Sequence, residues 1–311
     1  MEWILALEGG GTRSQAVLVD PQGEVRGSGF STDVNTNFTS MEDAREAVRS
    51  AVRDALAAAG VDGAKVTWLV SALVGPRFGV ETFGDLLPRA EDHYYGEGQV
   101  VFARGGVYRP HGLALVAATG ATAWAVRADD GRRLGCGGWG SLLGDEGSAH
   151  ALGVLVLRAA ARAWEGRLDK PTRLPQALAE HFHFDPADFR SGMVARAYHP
   201  TLTRAEIAAL APLATRLARE GDEIAARLVA KTAADLSALA LFAARQLFQP
   251  DESFHLVAAG GLLGAGDLIL SPLREAFARA FPLVELRVGS EDPALAVAKL
   301  ARFDMRRELE E

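Results

Sequence analysis

Short apolar runs broken by glycine-rich turns dominate the start of the chain. Residues 3–7 (Trp-Ile-Leu-Ala-Leu) and 16–19 (Ala-Val-Leu-Val) flank Glu8-Gly9-Gly10-Gly11-Thr12-Arg13-Ser14, and Pro21-Gln22-Gly23 leads into residues 25–30. That spacing predicts a three-strand meander. A helical period follows over residues 41–59 and stops at Gly60. Residues 66–73 read as a buried strand, and Gln99-Val100-Val101-Phe102 as another. The theme then repeats: an apolar run at 112–118, a Gly/Thr turn at 119–122, a returning strand at 123–127 and a turn at Asp129-Asp130-Gly131. From 148 to 249 the apolar spacing is helical, with one long helix over 224–248 broken near Lys231. Residues 254–259 and 283–288 read as strands, 272–280 and 293–303 as helices, and 305–311 as a charged, solvated end. Two strand–Gly/Thr turn–strand units, one in each half, predict duplicated α/β domains facing one cleft.

Composition narrows the function. The chain has 311 residues, enough for two cores. A formal charge of −7 argues against nucleic acid or an anionic membrane as a partner. Cys136 is the single cysteine, which excludes an internal disulfide and any metal site built from several thiolates. No apolar run is long enough to span a bilayer, and the first residues carry no basic or apolar leader pattern, so a cytoplasmic protein is expected. The seven histidines show no metal-ligand spacing.

Four segments carry candidate chemistry. In the first, glycines between two strands let backbone N–H groups approach an anion, and Thr12 and Ser14 add hydroxyls; a plain tight hairpin is the alternative. The second turn, Ala118-Thr119-Gly120-Ala121-Thr122, is an ordinary hairpin taken alone, and with the first it makes a pair able to hold one polyphosphate. The third, residues 137–148, has five glycines among twelve positions together with Trp139, Asp145 and Glu146. Such glycine density marks close backbone approach, carboxylates accept sugar hydroxyls, and an indole offers a ring face; a loop with a capped helix start is the alternative. The fourth, Gly260-Gly261 after a strand, makes room for a flat ring or is a plain strand-to-helix turn. Asn35 and Asn37, in a polar loop, suit either sugar hydroxyls or a turn.

In this order the segments resemble the acetate-and-sugar-kinase/actin superfamily. More closely, they resemble the N-acetylglucosamine kinase branch of the BadF/BadG-type ATPases. Residues 137–148 match the signature Gly-Gly-Trp-Gly-x-x-x-Gly-Asp-Glu-Gly-Ser, and the likeness covers nearly the whole chain. The resemblance implies two ribonuclease-H-like domains around a nucleotide and sugar cleft: residues 1–112 with 297–311, and residues 113–296 with helical insertions. It implies a kinase for N-acetylglucosamine or a related hexosamine, acting at O6 with ATP and Mg2+, and often as a homodimer. By that likeness Gly10, Gly11, Thr12, Ser14, Thr119 and Gly120 meet the phosphates, and Gly260 and Gly261 flank adenine. Glu8 holds magnesium through water, and Asn35, Gly138, Trp139 and Asp145 line the sugar pocket.

Three features depart from the pattern: the first turn, the second turn and the catalytic residue. Glu8 stands where an aspartate is usual, and Ala118 and Ala121 stand where glycine and serine are usual. The family's catalytic aspartate follows the strand matched to residues 100–102, yet no carboxylate occurs between Phe102 and Asp129, and the next helix reads as shortened or lost. The catalytic residue is therefore unknown from sequence. Two readings follow: a sugar kinase, or a non-catalytic sugar or nucleotide sensor on a kinase fold. A third, an activator of a radical dehydratase with a cysteine-held cluster, conflicts with the lone Cys136.

Overall fold

A computed structural model describes residues 2–10, 13–37 and 39–310, without the side chains of residues 308–310. The chain divides into two compact units, one of residues 1–110 with 288–311 and one of residues 111–287.

Unit 1 is built on a five-stranded sheet of β1 (Trp3–Gly9), β2 (Ser14–Val19), β3 (Val25–Ser31), β4 (Val66–Leu73) and β5 (Glu91–Tyr94), in the order β3-β2-β1-β4-β5. β1, β2 and β3 pair antiparallel, while β4 and β5 continue parallel to β1. The predicted meander is present, and helix α1 (Met41–Ala59) has the predicted bounds. Ser40 caps its start by accepting the Asp43 N–H at 3.0 Å, and Gly60 ends it at φ +63°. Its Ala and Val stripe lies on the sheet at the shortest possible range: a Cβ on Gly27 or Gly29 of β3 would stand within 2.2 Å of the Ala55 or Ala51 carbonyl oxygen. A single turn, α2 (Val80–Phe83), precedes β5.

Gln99-Val100-Val101-Phe102 is not a strand. These residues lie in helix α3 (Glu97–Arg104), and the strand is β5, immediately before it. The misreading has a physical origin. α3 is buried over most of its circumference, so its apolar residues run together with no helical gap. β5 reads Glu-Asp-His-Tyr and carries no apolar signal; it is an edge strand, pinned to β4 by the stacking of His93 on Trp68 at 3.8 Å.

Unit 2 repeats the topology with β6 (Gly112–Ala117), β7 (Ala121–Val126), β8 (Arg133–Gly137), β9 (His255–Ala259) and β10 (Glu285–Val288), in the order β10-β9-β6-β7-β8. β6, β7 and β8 are antiparallel, and β9 is parallel to β6. Between β8 and β9 come α4 (Ala149–Trp164), α5 (Leu174–Phe182), α6 (Phe189–Tyr198), α7 (Arg204–Ala208), α8 (Ala211–Arg219) and α9 (Glu223–Leu247). α9 passes Lys231 unbroken, because that residue faces solvent and pairs with Asp235 one turn on, at 2.8 Å. α10 (Asp267–Ala280) starts five residues before Pro272, at the positive φ of Gly266. The last helix, α11 (Pro293–Glu310), packs on β1 and α3 of unit 1. It runs on through the residues expected to form a solvated end, with Met305 against the core and Asp304 accepting the Tyr95 hydroxyl at 2.9 Å.

Candidate active site

In unit 1 the chemistry gathers where β1, β4 and β5 end, the side of a parallel sheet on which ligands bind. β1 finishes at Glu8-Gly9, and the turn back to β2 brings the Gly10 N–H onto the Arg13 carbonyl at 3.0 Å. Gly9 sits where a Cβ would meet Val34 at 2.6 Å, so the loop carrying Asn35 lies directly on the turn. Gly10 has open space around it. Ser14 is fully buried at the start of β2, and its hydroxyl has no partner among the described residues. Asn35 is nearly buried, and its side-chain carbonyl accepts the Asn37 N–H at 3.1 Å, which is the turn-forming role. Gly11 and Thr12 lie outside the described residues.

The corrected position of β5 places a different segment after the last parallel strand. The Tyr95 N–H donates to the Ser71 carbonyl at 2.8 Å, so the chain leaves the sheet beside the end of β4 and enters α3 at Glu97. Glu97 is the first carboxylate after the strand. It is half-buried, and it makes no hydrogen bond or ion pair among the described residues. The surrounding protein pushes its carboxyl up to about 7. Glu8 is raised to about 7 as well, by burial first and then by the negative charges of Glu97 and Asp292, with Arg104 and Arg13 pulling the other way. Arg104 stands at the far end of α3 from Glu97 and donates from Nε to the Glu291 carbonyl at 2.8 Å.

In unit 2 the expected residues collect around the turn between β6 and β7. The first amides of α4 stitch that turn down, with Ala149 donating to the Ala118 carbonyl at 2.9 Å and His150 to the Thr119 carbonyl at 3.3 Å. Asp145 takes a positive φ of +66° and is 3% exposed. Its carboxylate accepts the Ala121 N–H at 3.3 Å and the Arg204 Nη2 at 2.8 Å. A Cβ on Gly120 would lie 2.9 Å from that carboxylate, so glycine leaves the acid its place. Gly138, at φ +71°, lies against Thr122, and its N–H donates to the Ala121 carbonyl at 3.0 Å. Gly260, at φ +125°, leaves no room for a Cβ, which would stand 2.3 Å from the Ala117 carbonyl oxygen; Gly261 faces open space. Trp139, Leu142 and Leu143 are 73%, 92% and 72% exposed, an apolar loop tip within the glycine-rich segment.

Three residues that the structure brings beside these segments carried no site signal in the sequence. Glu97 was hidden by the strand misreading. Arg204 lies 59 positions from Asp145 and had no local signal. α7 brings it there by packing on α4 at Gly153, where a Cβ would meet the Ile207 carbonyl oxygen at 2.0 Å. His150 is buried beside this pair, and burial first, then the Arg204 charge, hold its imidazole below the usual range while Asp145 opposes them.

No group of three or more His, Cys, Asp or Glu side chains among the described residues makes a metal cage. Glu8 is a buried carboxyl raised first by burial and then by the neighbouring Glu97 charge, an oxygen donor of the kind that suits a cation held through water.

A family model described as the BadF/BadG/BcrA/BcrD ATPase family matches residues 7–279. An N-acetyl-D-glucosamine kinase of Dictyostelium discoideum is 25% identical over 326 aligned positions, covering 96% of this chain and 98% of that protein. An N-acetylmuramic acid/N-acetylglucosamine kinase of Clostridium acetobutylicum is 20% identical, covering 98% and 99%. Among solved structures, a candidate N-acetylglucosamine kinase of Chromobacterium violaceum has a TM-score of 0.71 at 22% identity, covering 96% and 99%.

Proposed function

From the premise that this chain belongs to the BadF/BadG/BcrA/BcrD ATPase family, we propose that it transfers the γ-phosphoryl group of ATP to O6 of N-acetylglucosamine or a related hexosamine, with Glu97 as the base. The observation that carries this reading is Glu97 itself: a carboxylate directly after the last parallel strand of unit 1, without a partner among the described residues, raised to about 7. A base with that affinity for protons is half-ionised near neutral pH and can take a hydroxyl proton.

The sugar O6 forms its bond to the γ-phosphorus as the bond to the β–γ bridging oxygen breaks. The hydroxyl proton passes to Glu97, and ADP leaves with the bridging oxygen. Phosphoryl transfer rests mainly on positioning and charge neutralisation, and the base adds to these. Magnesium, when bound, would neutralise phosphate charge, with Glu8 holding it through water. Gly10, Gly11, Thr12 and Ser14 from one turn, and Thr119 and Gly120 from the other, are assigned to the phosphates; Gly260 and Gly261 are assigned to adenine. Asn35, Gly138, Trp139 and Asp145 are assigned to the sugar. Asp145 suits that task because Arg204 and the Ala121 N–H fix its carboxylate and leave lone pairs to accept sugar hydroxyls.

The alternative, a non-catalytic sensor, rests on Arg104 and on Ala118 and Ala121 in the second turn; Arg104 lies at the far end of α3 from Glu97, while the altered turn still favours that alternative. The test is to incubate the protein with ATP, magnesium and a panel of hexosamines, follow ADP release, and locate the phosphate on the product by NMR. Turnover with N-acetylglucosamine giving the 6-phosphate is expected. Binding of the sugar without turnover would return the sensor reading to first place.

A further inference from the structure

We propose that unit 1 carries a second ligand site, separate from the phosphoryl-transfer residues, which takes a planar aromatic ring bearing a phosphate or carboxylate. A cavity of about 500 Å³ opens among Trp68 of β4, Tyr95 before α3, Tyr108 and Arg109 in the segment leaving unit 1, and Asp304 and Arg307 of α11. That volume is in the ordinary range for a small-molecule pocket. None of the residues assigned above to phosphate, adenine, sugar, magnesium or base lines it.

The walls are aromatic and fixed. Trp68 is stacked on His93 with ring centroids 3.8 Å apart and planes within 5°. Tyr108 is stacked on Phe303 at 5.4 Å, and Tyr95 is tied by its hydroxyl to Asp304 at 2.9 Å. Rings held in this way do not fold inward to fill the space, and a flat ring is the shape that offset stacking on them favours. The charge at the cavity is positive in a chain whose net charge is −7. The exposed Arg109 guanidinium lies 5.8 Å from the Phe303 ring centroid and makes no ion pair among the described residues. Arg307 supplies a second cation. Asp304, the one carboxylate of the lining among the described residues, accepts the Tyr95 hydroxyl. Aromatic walls select a ring, and the Arg109 guanidinium, with no ion pair among the described residues, attracts an anion. A neutral sugar satisfies only the walls, and inorganic phosphate only the cations.

The experiment is calorimetric titration of the full chain with phenyl phosphate and with benzoate, and with phenol and inorganic phosphate as single-feature controls. The two aromatic anions separate phosphate from carboxylate. Saturable one-site binding of at least one of them is expected, at least 10-fold tighter than either control and weakened at least 10-fold in Arg109→Glu. That variant changes an exposed side chain, and an unshifted melting temperature would show its fold intact. Glu97→Gln and saturating ATP should leave the binding unchanged, so this proposal can fail while the kinase reading stands, and the reverse. No saturable binding of either aromatic anion, equal binding of inorganic phosphate, or an Arg109→Glu affinity within twofold of the parent would overturn it.

Discussion

Glu97 and Asp145 are both acids set among glycine-rich turns at strand ends, one in each unit, and their surroundings are opposite. Asp145 is buried with a guanidinium at 2.8 Å and a backbone N–H at 3.3 Å. Glu97 has neither among the described residues, and burial pushes it up to about 7. A paired buried carboxylate is held in place by its donors. An unpaired one is left able to accept and release a proton. Sequence motif alone marks Asp145 as the conspicuous acid, while burial singles out Glu97, the residue proposed above as the base.

The largest effect expected from breaking this contrast is on turnover. Glu97→Gln should lower kcat by about 10²–10⁴-fold with little change in sugar affinity, read from ADP release and calorimetry. Second, Arg204→Ala leaves the Asp145 carboxylate buried without its cation. It should cost about 2–4 kcal/mol in denaturant unfolding, below the full value for a buried pair because Arg204 is partly exposed. Asp145→Asn in the Arg204→Ala background should recover part of that loss.

Third, Glu97→Gln should stabilise the fold at pH 8. A carboxyl with a native value near 7 and an ordinary value of 4.5 keeps its proton longer when folded, so the parent loses stability as pH rises from about 4.5 to 7. The variant escapes that loss. Its advantage should be on the order of 1–2 kcal/mol at pH 8 after allowing for partial exposure, and absent at pH 4, checked by paired melts. The smallest effect expected is from Gly120→Ala. The new methyl would press on Asp145 at 2.9 Å, raising the sugar KM several-fold and costing about 1 kcal/mol.

Legibility followed local periodicity. α1 was readable to the residue because its apolar stripe, Ser40 cap and Gly60 stop are all local. So was the glycine density around Asp145; the close approach of Gly120 to Asp145, of Gly138 to Thr122 and of Gly260 to Ala117 offsets the entropy of those glycines. β5 and α3 were not readable, because a polar edge strand and an all-round buried helix each invert the usual pattern, and Glu97 went with them. Arg204 depended on helix packing at Gly153, a contact no local pattern encodes. The site was therefore legible wherever backbone geometry demanded glycine, and illegible where its chemistry depended on burial and on partners distant in sequence.

The most direct measurement is the pH dependence of kcat/KM for N-acetylglucosamine between pH 5.5 and 8.5. A rise governed by an apparent pKa near 7, flat above it and missing from the residual rate of Glu97→Gln, is the expected result. A parent profile that is flat across the range, or a rise that survives unchanged in Glu97→Gln, would contradict Glu97 as the base.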